Sequence, residues 1–267
     1  MSTYADVFRY HELFGSLFRR DFQAKYRGSI LGIGWTLLNP VLLMGIYLLV
    51  FSTVWRAPFA NGDNYPLFLL VGLSAWIFFS TSLQSSAQSL IDNAALIRKT
   101  RFPRQLVPLS VVAAHLVSYA VMLAILLVLD FALLPRVRAT EWLAPPIAAV
   151  FVVFVGGISL AVASLNAIFR DVQHLVGALL LPFFFLTPIL YPLSGLPTSV
   201  LHHHTVVQLL RYANPLSPAI EAIRAPLFYG HLPHWVDVVY LCAAAVVALA
   251  LGAFTFRRID DQIAVEV

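Results

Sequence analysis

The chain has 267 residues, of which 60% are hydrophobic and only 11% are charged. Soluble domains carry about 25% charged residues, so this composition excludes an ordinary water-facing globular surface and indicates an integral membrane protein. The formal net charge is +4. Because the cations stand at the ends of apolar runs rather than in a basic stripe, we expect no nucleic-acid partner.

An amphipathic helix is the first predicted element, over residues 4–22. Such a helix lies in the membrane interface with its apolar side in the acyl boundary. The alternative, which the pattern leaves open, is a helix packed on a partner domain. A basic hinge, residues 25–28, follows. The apolar face of the predicted helix carries Val7, Tyr10, Leu13, Phe14, Leu17, Phe18 and Phe22.

Six apolar segments each have about the length that a bilayer span needs. Pro40 lies inside the first segment, and Pro182 and Pro188 break the fifth. Gly156 and Gly157 in the fourth permit close helix packing. The fold class predicted is therefore an all-α polytopic membrane protein with six transmembrane helices after an amphipathic interface helix. The predicted spans are 33–55, 66–84, 106–134, 143–168, 175–193 and 236–256.

Two short helices are predicted within residues 195–234, between the fifth and sixth spans. They lie near Ser199–Tyr212 and Ser217–Tyr229 and are joined at Asn214 and Pro215. Neither piece is long enough to cross a bilayer. The interpretation is a pair of re-entrant helices that dip into the membrane from its outer face, and the alternative is a helical hairpin on that face.

The loop over residues 91–104, IDNAALIRKTRFPR, carries the cations Arg98, Lys99, Arg101 and Arg104. Basic loops stay on the cytoplasmic side of a membrane. With both termini also cytoplasmic, twelve of the 17 Lys and Arg residues fall inside and five outside. The charge distribution therefore predicts six spans with the N and C termini in the cytoplasm.

Catalytic chemistry is not evident in the sequence. No G-x-x-x-x-G-K-[ST] phosphate loop, metal-ligand spacing or Ser/His/Asp arrangement occurs. No Lys, Arg, Asp or Glu lies in the middle of a predicted span, which argues against a proton-coupled transporter or an ion channel.

The predicted spans carry many aromatic rings. These rings either contact lipid and anchor the interfaces, or line a path on which sugar rings stack. The candidate lining residues are Tyr47, Phe51, Trp76, Phe79, Phe184, Phe185 and Tyr191.

Four motifs, in this order, cover nearly the whole chain. They are RRDFQAKYRGSILGIGWTLLNPVLLMGIYLLVF, LIRKTRFPRQLVPLS, FRDVQHLVGALLLPFFFLTPILYP and NPLSPAIEAIR. Together they resemble ABC-2 type export permeases of the polysaccharide and polyol-phosphate branch. The resemblance implies a single transmembrane domain over residues 1–267 that forms half of a channel in the bacterial inner membrane. It also implies that a second copy of the chain and two separate ATPase subunits complete the exporter, and that ATP and Mg bind to those ATPase subunits and no cofactor to this chain.

The resemblance further assigns roles to particular residues. The loop 91–104 is expected to hold the coupling helix that docks into the ATPase, and the two short outer helices are expected to form an exit gate. The cargo is expected to be a lipid-linked glycan, such as an O-antigen, a capsule chain or a teichoic acid. Two alternatives stay open: a small-molecule or drug efflux permease, and a membrane enzyme acting on lipid-linked sugars, which would need an acid, base or metal cluster. The expected coupling residues are Leu96, Ile97, Arg98, Lys99, Arg101 and Phe102; the headgroup contacts are Lys25, Arg27 and Arg98; the gate residues are Asn214, Pro215, Glu221 and Arg224.

Overall fold

The computed structural model describes residues 9–54, 64–100, 102–133, 140–193 and 204–266, and no strand occurs among them. Apolar segments adopt helices in a membrane because a helix satisfies its backbone hydrogen bonds internally. The prediction of an all-α polytopic membrane protein is confirmed. Ten α-helices follow one another in this part of the chain: α1 His11–Tyr26, α2 Trp35–Leu48, α3 Tyr65–Asp92, α4 Ala94–Lys99, α5 Leu106–Leu133, α6 Ala144–Ile168, α7 Val172–Leu186, α8 His204–Tyr212, α9 Leu216–Arg224 and α10 Trp235–Glu266.

Short irregular turns extend three of these helices. A 3-10 turn leads into α2 and a π-helical turn, Leu49–Val54, continues it. A second 3-10 turn, Glu141–Leu143, precedes α6, and a second π-helical turn, Ala225–Tyr229, follows α9. Five segments of the described chain are long and apolar enough to cross a membrane: Gly32–Val54, Tyr65–Asp92, Leu106–Phe131, Glu141–Ile168 and Trp235–Ile259.

The fifth predicted span differs from the structure. Its helix, α7, begins at Val172 but ends at Leu186, and a turn follows. Proline 188 explains the ending, because proline lacks an N–H and disfavours helical geometry at the residue before it. The second predicted span is longer than expected, since α3 continues to Asp92. The predicted positions 4–8, 55, 134 and 195–203 lie outside the described residues.

One large apolar core surrounds α3. In its most apolar stretch 78% of the second span is buried, against 6% for the first span. A second apolar group, which we call the inner cluster, joins α1, α4 and the adjoining ends of α3, α5, α6 and α10 at one end of the bundle. This packing places α1 and the later part of α10 at the same end of the bundle. The inner cluster comprises Leu17, Leu90, Ile97, Leu106, Val107, Leu160, Ala163, Ala167 and Phe256.

The amphipathic helix α1 packs along the beginning of α5. The Asp21 carboxylate accepts a hydrogen bond of 2.7 Å from the Ser110 hydroxyl, and the Lys25 ammonium donates one of 2.7 Å to the Ser118 hydroxyl. Leu17 is buried in the inner cluster. Part of the apolar face therefore contacts the chain's own third span. The helix also continues through Lys25 to Tyr26, so the predicted hinge begins at Arg27 rather than at Lys25.

Close packing between α6 and α10 depends on glycine. A Cβ atom added to Gly157 would lie 2.5 Å from the backbone carbon of Ala248. A Cβ atom on Gly252 would lie 2.5 Å from the carbonyl oxygen of Gly157. The neighbouring Gly156 has no atom within 4 Å of such a Cβ. The predicted close approach is thus confirmed at Gly157, whereas Gly156 has room for a methyl group.

We predict that Gly157→Ala destabilises the protein because its methyl group would force α6 and α10 apart. The expected loss is about 1–3 kcal/mol, the usual cost of overpacking. Thermal unfolding of the detergent-solubilised protein, followed by size-exclusion chromatography, measures this effect. Gly156→Ala is the matched control and should melt with the wild type. Equal melting of the two variants would contradict the close contact.

Candidate functional site: the outer gate and the inner coupling segment

The end of α7 exposes backbone carbonyls that the helix itself cannot satisfy. We call residues 187–190 the outer turn. The amide N–H of Thr187 still bonds to the Phe183 carbonyl at 3.0 Å, and that of Ile189 turns back to the Thr187 carbonyl at 2.7 Å. The carbonyls at the end of a helix need donors from elsewhere. A buried break in a membrane helix therefore requires polar groups from neighbouring segments.

Arg224, at the end of α9, donates to two carbonyls of the outer turn. Its Nη1 donates to the Pro188 carbonyl and its Nη2 to the Ile189 carbonyl at 2.7 Å. The guanidinium carbon lies 3.6 Å from the centre of the Phe68 ring, and Nη1 is 3.1 Å from a Glu221 carboxylate oxygen. Burial lowers the pKa of Arg224 from its ordinary value, but arginine stays protonated at physiological pH. Carbonyls, a ring and one carboxylate thus surround the two terminal nitrogens of a fully buried cation, whereas its Nε has no hydrogen-bond partner among the described residues.

Helix α3 provides the space for this guanidinium. A Cβ atom on Gly72 would lie 2.2 Å from the Nη2 of Arg224. About two turns before Gly72 on the same helix, the Tyr65 hydroxyl donates a 2.6 Å hydrogen bond to the Leu190 carbonyl. Phe68, between them in sequence, forms the ring face. The outer turn is therefore held from α3 as well as from α9.

Asn214 joins the outer turn to the start of α9. Its Nδ2 donates to the Thr187 hydroxyl at 2.6 Å, and its Oδ1 accepts the Leu216 amide at 3.0 Å. Pro215 follows at the N-cap position of α9. The four residues expected to form the gate, Asn214, Pro215, Glu221 and Arg224, thus lie on one short helix and its lead-in, and two of them bind the outer turn directly.

The other short helix, α8, is attached to a different span. Arg211 forms a bidentate ion pair with Asp237 at the start of α10, with distances of 2.5 and 3.2 Å. The Tyr240 hydroxyl donates to the Tyr212 carbonyl at 2.6 Å. Asp237 is 2% exposed. Asp237 was not among the predicted site residues. An acidic residue at the start of an apolar span, after a short helix with Arg211 in its last turn, was a usable signal.

The aromatic rings expected to line a path form a connected group across α2, α3 and α7. Trp76 packs on Phe79 at 5.8 Å and on Phe184 at 5.3 Å between ring centres, and Tyr47 stacks on Phe184 at 5.8 Å. Trp76, Phe79 and Phe184 are buried inside the folded chain. These three rings pack against one another and against neighbouring helices.

The remaining four rings are more accessible. Phe185 is 56% exposed. Tyr47, Phe51 and Tyr191 are half-buried, and the Tyr191 hydroxyl donates to the Phe185 carbonyl at 3.2 Å. Four of the seven predicted rings therefore have accessible surface. They are Phe185, Tyr47, Phe51 and Tyr191.

The predicted coupling loop contains one short helix, α4. Ile97 is buried in the inner cluster, and Leu96 and Phe102 pack against that cluster. Arg98 and Lys99 are exposed. Apolar residues thus anchor the segment while two cations face outward. Arg101 lies outside the described residues.

Helix α1 is linked to the same segment. The Arg20 guanidinium donates a 2.6 Å hydrogen bond to the side-chain oxygen of Asn93, the residue before α4. Of the expected headgroup contacts, Arg27 is exposed, and Lys25 directs its ammonium to α5. Burial lowers the pKa of Lys25 from its ordinary value.

A bundle of apolar spans, with two short helices at one end and a short helix with exposed cations at the other, defines a polytopic membrane protein. The sequence profile of the ABC-2 type transporter family matches residues 12–228. The chain therefore belongs to the ABC-2 type transporter family, as the sequence motifs predicted.

Individual relatives extend the similarity along the whole chain. The O-antigen export system permease protein RfbA of Myxococcus xanthus is 36% identical, over 97% of this chain and 96% of the relative. A protein with the same description from Klebsiella pneumoniae is 32% identical over 88% of each chain. The polysialic acid transport protein KpsM of Escherichia coli is 24% identical over 92% of this chain and 93% of the relative.

We predict that Gly72→Ala lowers the thermal stability of the protein. The added methyl group displaces the Arg224 guanidinium from the Ile189 carbonyl, and a buried group left without its partner costs about 1–3 kcal/mol. Gly177→Ala on α7 is the control, because a Cβ atom there meets nothing within 4 Å. If Gly72→Ala and Gly177→Ala melt alike in detergent, the guanidinium does not occupy this site.

Proposed function

We propose that this chain is the permease subunit of an ATP-driven exporter that moves a lipid-linked polysaccharide across the bacterial inner membrane. The observation that carries the proposal is the 36% identity to an O-antigen export permease over 97% of the chain. Similarity that spans both the gate and the coupling segment supports the same kind of transport, rather than a shared fold alone. The cargo is a glycan of the O-antigen, capsule or teichoic-acid type.

Energy for export comes from two separate ATPase subunits, which bind ATP and Mg. Helix α4 supports this part of the proposal, because buried Ile97 fixes the segment and leaves Arg98 and Lys99 exposed for docking. Among the described residues, no group of three or more His, Cys, Asp and Glu could hold a metal ion. The chain contributes a path and a gate, and the chemistry of ATP hydrolysis takes place in the partner.

A second copy of the chain completes the path. The first span is 6% buried in its most apolar stretch, and the exposed side chains of α7 include Leu175, Leu179 and Phe185. Because Tyr47 of α2 contacts Phe184 of α7, the two helices offer one continuous apolar face. Tyr47, Phe51, Phe185 and Tyr191 stand along it and are the rings we propose as lining.

The orientation follows from the placement of charge. The coupling segment and both chain termini lie in the cytoplasm, and α8 and α9 form the exit gate at the outer face. Exposed Arg27 and Arg98 lie at the cytoplasmic side, where cations attract lipid phosphates. We propose Arg27, Arg98 and Lys25 as contacts for the phosphates that anchor the glycan to its lipid.

Deletion of the gene tests the function directly. We expect the deletion strain to lose a surface polysaccharide, which gel electrophoresis and immunoblotting of surface glycans detect, and to regain it with the wild-type gene. Susceptibility to a panel of drugs should not change. An unaltered glycan profile with altered drug susceptibility would instead identify a small-molecule efflux permease.

The coupling assignment has its own test. We predict that Arg98→Ala combined with Lys99→Ala weakens the affinity for the ATPase subunit about tenfold, since interface charges steer association. The variant should fold normally because both side chains are exposed. Biolayer interferometry of the purified permease against the ATPase measures the affinity. Arg170→Ala removes another exposed cation and is the control; an equal loss in that variant would contradict a specific role for α4.

A further inference from the structure

A cavity of about 240 Å³ lies between α1, α2, α3 and α5. It is separate from the outer turn and from α4, because none of the residues that form those sites lines it. Its position is roughly midway along the second and third spans, beside the C-terminal end of α1. We call it the side cavity. Its walls include Lys25, Asn39, Phe78, Thr81, Ser118 and Tyr119.

One end of the side cavity carries a cation without an acidic partner. The Lys25 ammonium contacts the Ser118 hydroxyl at 2.7 Å and the His115 Nδ1 at 3.2 Å. Among the described residues no carboxylate oxygen lies within 4 Å of this ammonium. A nearby anion favours the charged form of a lysine. This end of the cavity therefore suits a negatively charged group.

The rest of the side cavity combines an aromatic wall with neutral polar groups. Phe78 stacks on Tyr119 with 4.9 Å between ring centres. The Thr81 hydroxyl donates to the Ile77 carbonyl at 2.6 Å, so its oxygen can still accept a hydrogen bond. The Asn39 amide lies on the apolar first span, and no described group hydrogen-bonds to it. Trp35 also lines the cavity and is 49% exposed. An accessible aromatic ring beside hydroxyl and amide groups matches a pyranose, which is apolar on its faces and polar at its edge.

We propose that the side cavity binds the first sugar of the lipid-linked glycan, with Lys25 on the phosphate that joins this sugar to its lipid. This inference rests on the proposed function and adds a site to it. Pockets for drug-sized ligands measure about 300–1,000 Å³, so a cavity of this volume suits a single sugar ring. A single-ring pocket holds the lipid-linked end of the glycan in a fixed position, which a wide path cannot do.

Binding of defined probes to the full-length permease in lipid nanodiscs tests the proposal. The probes are farnesyl diphosphate carrying N-acetylglucosamine or galactose, farnesyl diphosphate without a sugar, inorganic phosphate, and phosphatidylglycerol, with affinities measured by microscale thermophoresis. We expect at least one sugar-bearing probe to bind about tenfold more tightly than farnesyl diphosphate. Inorganic phosphate and phosphatidylglycerol should bind more weakly than either.

Substitutions in the wall of the side cavity test whether the sugar binds there. Asn39→Leu and Thr81→Val should remove most of the tenfold difference and leave the affinity for farnesyl diphosphate unchanged. Lys25→Gln should weaken the binding of probes with and without sugar. Ser82→Ala is the matched control, since Ser82 is buried next to Thr81 in sequence and does not line the cavity.

Each contrary result has a distinct meaning. If the sugar-bearing probes bind tightly but Asn39→Leu and Thr81→Val bind them as the wild type does, the side cavity is not the sugar site, while the proposed function stands. If phosphatidylglycerol binds as tightly as the sugar-bearing probes, the site takes lipid phosphates in general and the sugar assignment is overturned. If the wild type binds no sugar-bearing probe more tightly than farnesyl diphosphate and the deletion strain keeps its glycans, the proposed function fails as well.

Discussion

A buried guanidinium that holds the turn after an interrupted helix is the interaction on which this end of the bundle depends. The fifth apolar segment stops being helical at Leu186, and the carbonyls of the turn that follows need donors from other segments, because they would otherwise lie unsatisfied in a nonpolar environment. Arg224 satisfies two of them. A buried charge is costly unless it is paired and hydrogen-bonded, and here Glu221 and the Phe68 ring complete its surroundings. Removal of the Arg224 guanidinium would leave the Pro188 and Ile189 carbonyls without these hydrogen bonds.

Helix α3 connects this outer site with the inner end of the bundle. It contributes Tyr65, Phe68 and Gly72 around the outer turn, and Leu90 to the inner cluster. Its 28 residues span about 42 Å at about 1.5 Å per residue. The short helix α4 follows after a single residue, Asn93. One continuous, largely buried helix thus contacts both the proposed gate and the segment proposed to dock on the ATPase.

Hydropathy predicted the membrane spans well because lipid imposes both their length and their helical structure. The burial and the partners of individual polar residues could not be predicted from hydropathy. Arg224 counts as one more outer cation in the sequence, whereas in the fold it is completely buried, since its partners come from segments 35 and 36 residues earlier. The contact of Asp237 with Arg211 and the contact of Lys25 with α5 likewise join residues that are distant in sequence.

The burial of individual aromatic rings could not be predicted from the sequence either. Trp76 and Phe79 look no different in sequence from Phe185, yet the first two are enclosed and the last is exposed. Which face of a uniformly apolar helix meets protein depends on its neighbours, because hydrophobic periodicity carries no signal when every face is apolar. The sequence therefore predicted which helices form and in what order, and left their facing residues undetermined.

Hydrogen exchange of the outer turn tests most directly whether Arg224 holds the interrupted span. Mass spectrometry would follow a peptide covering residues 187–193 in the wild type and in Arg224→Met, both in lipid nanodiscs. The account predicts slow exchange in the wild type and much faster exchange in the variant, with no change in peptides from the third span. Equally slow exchange in both proteins would show that the outer turn is held by something other than the guanidinium.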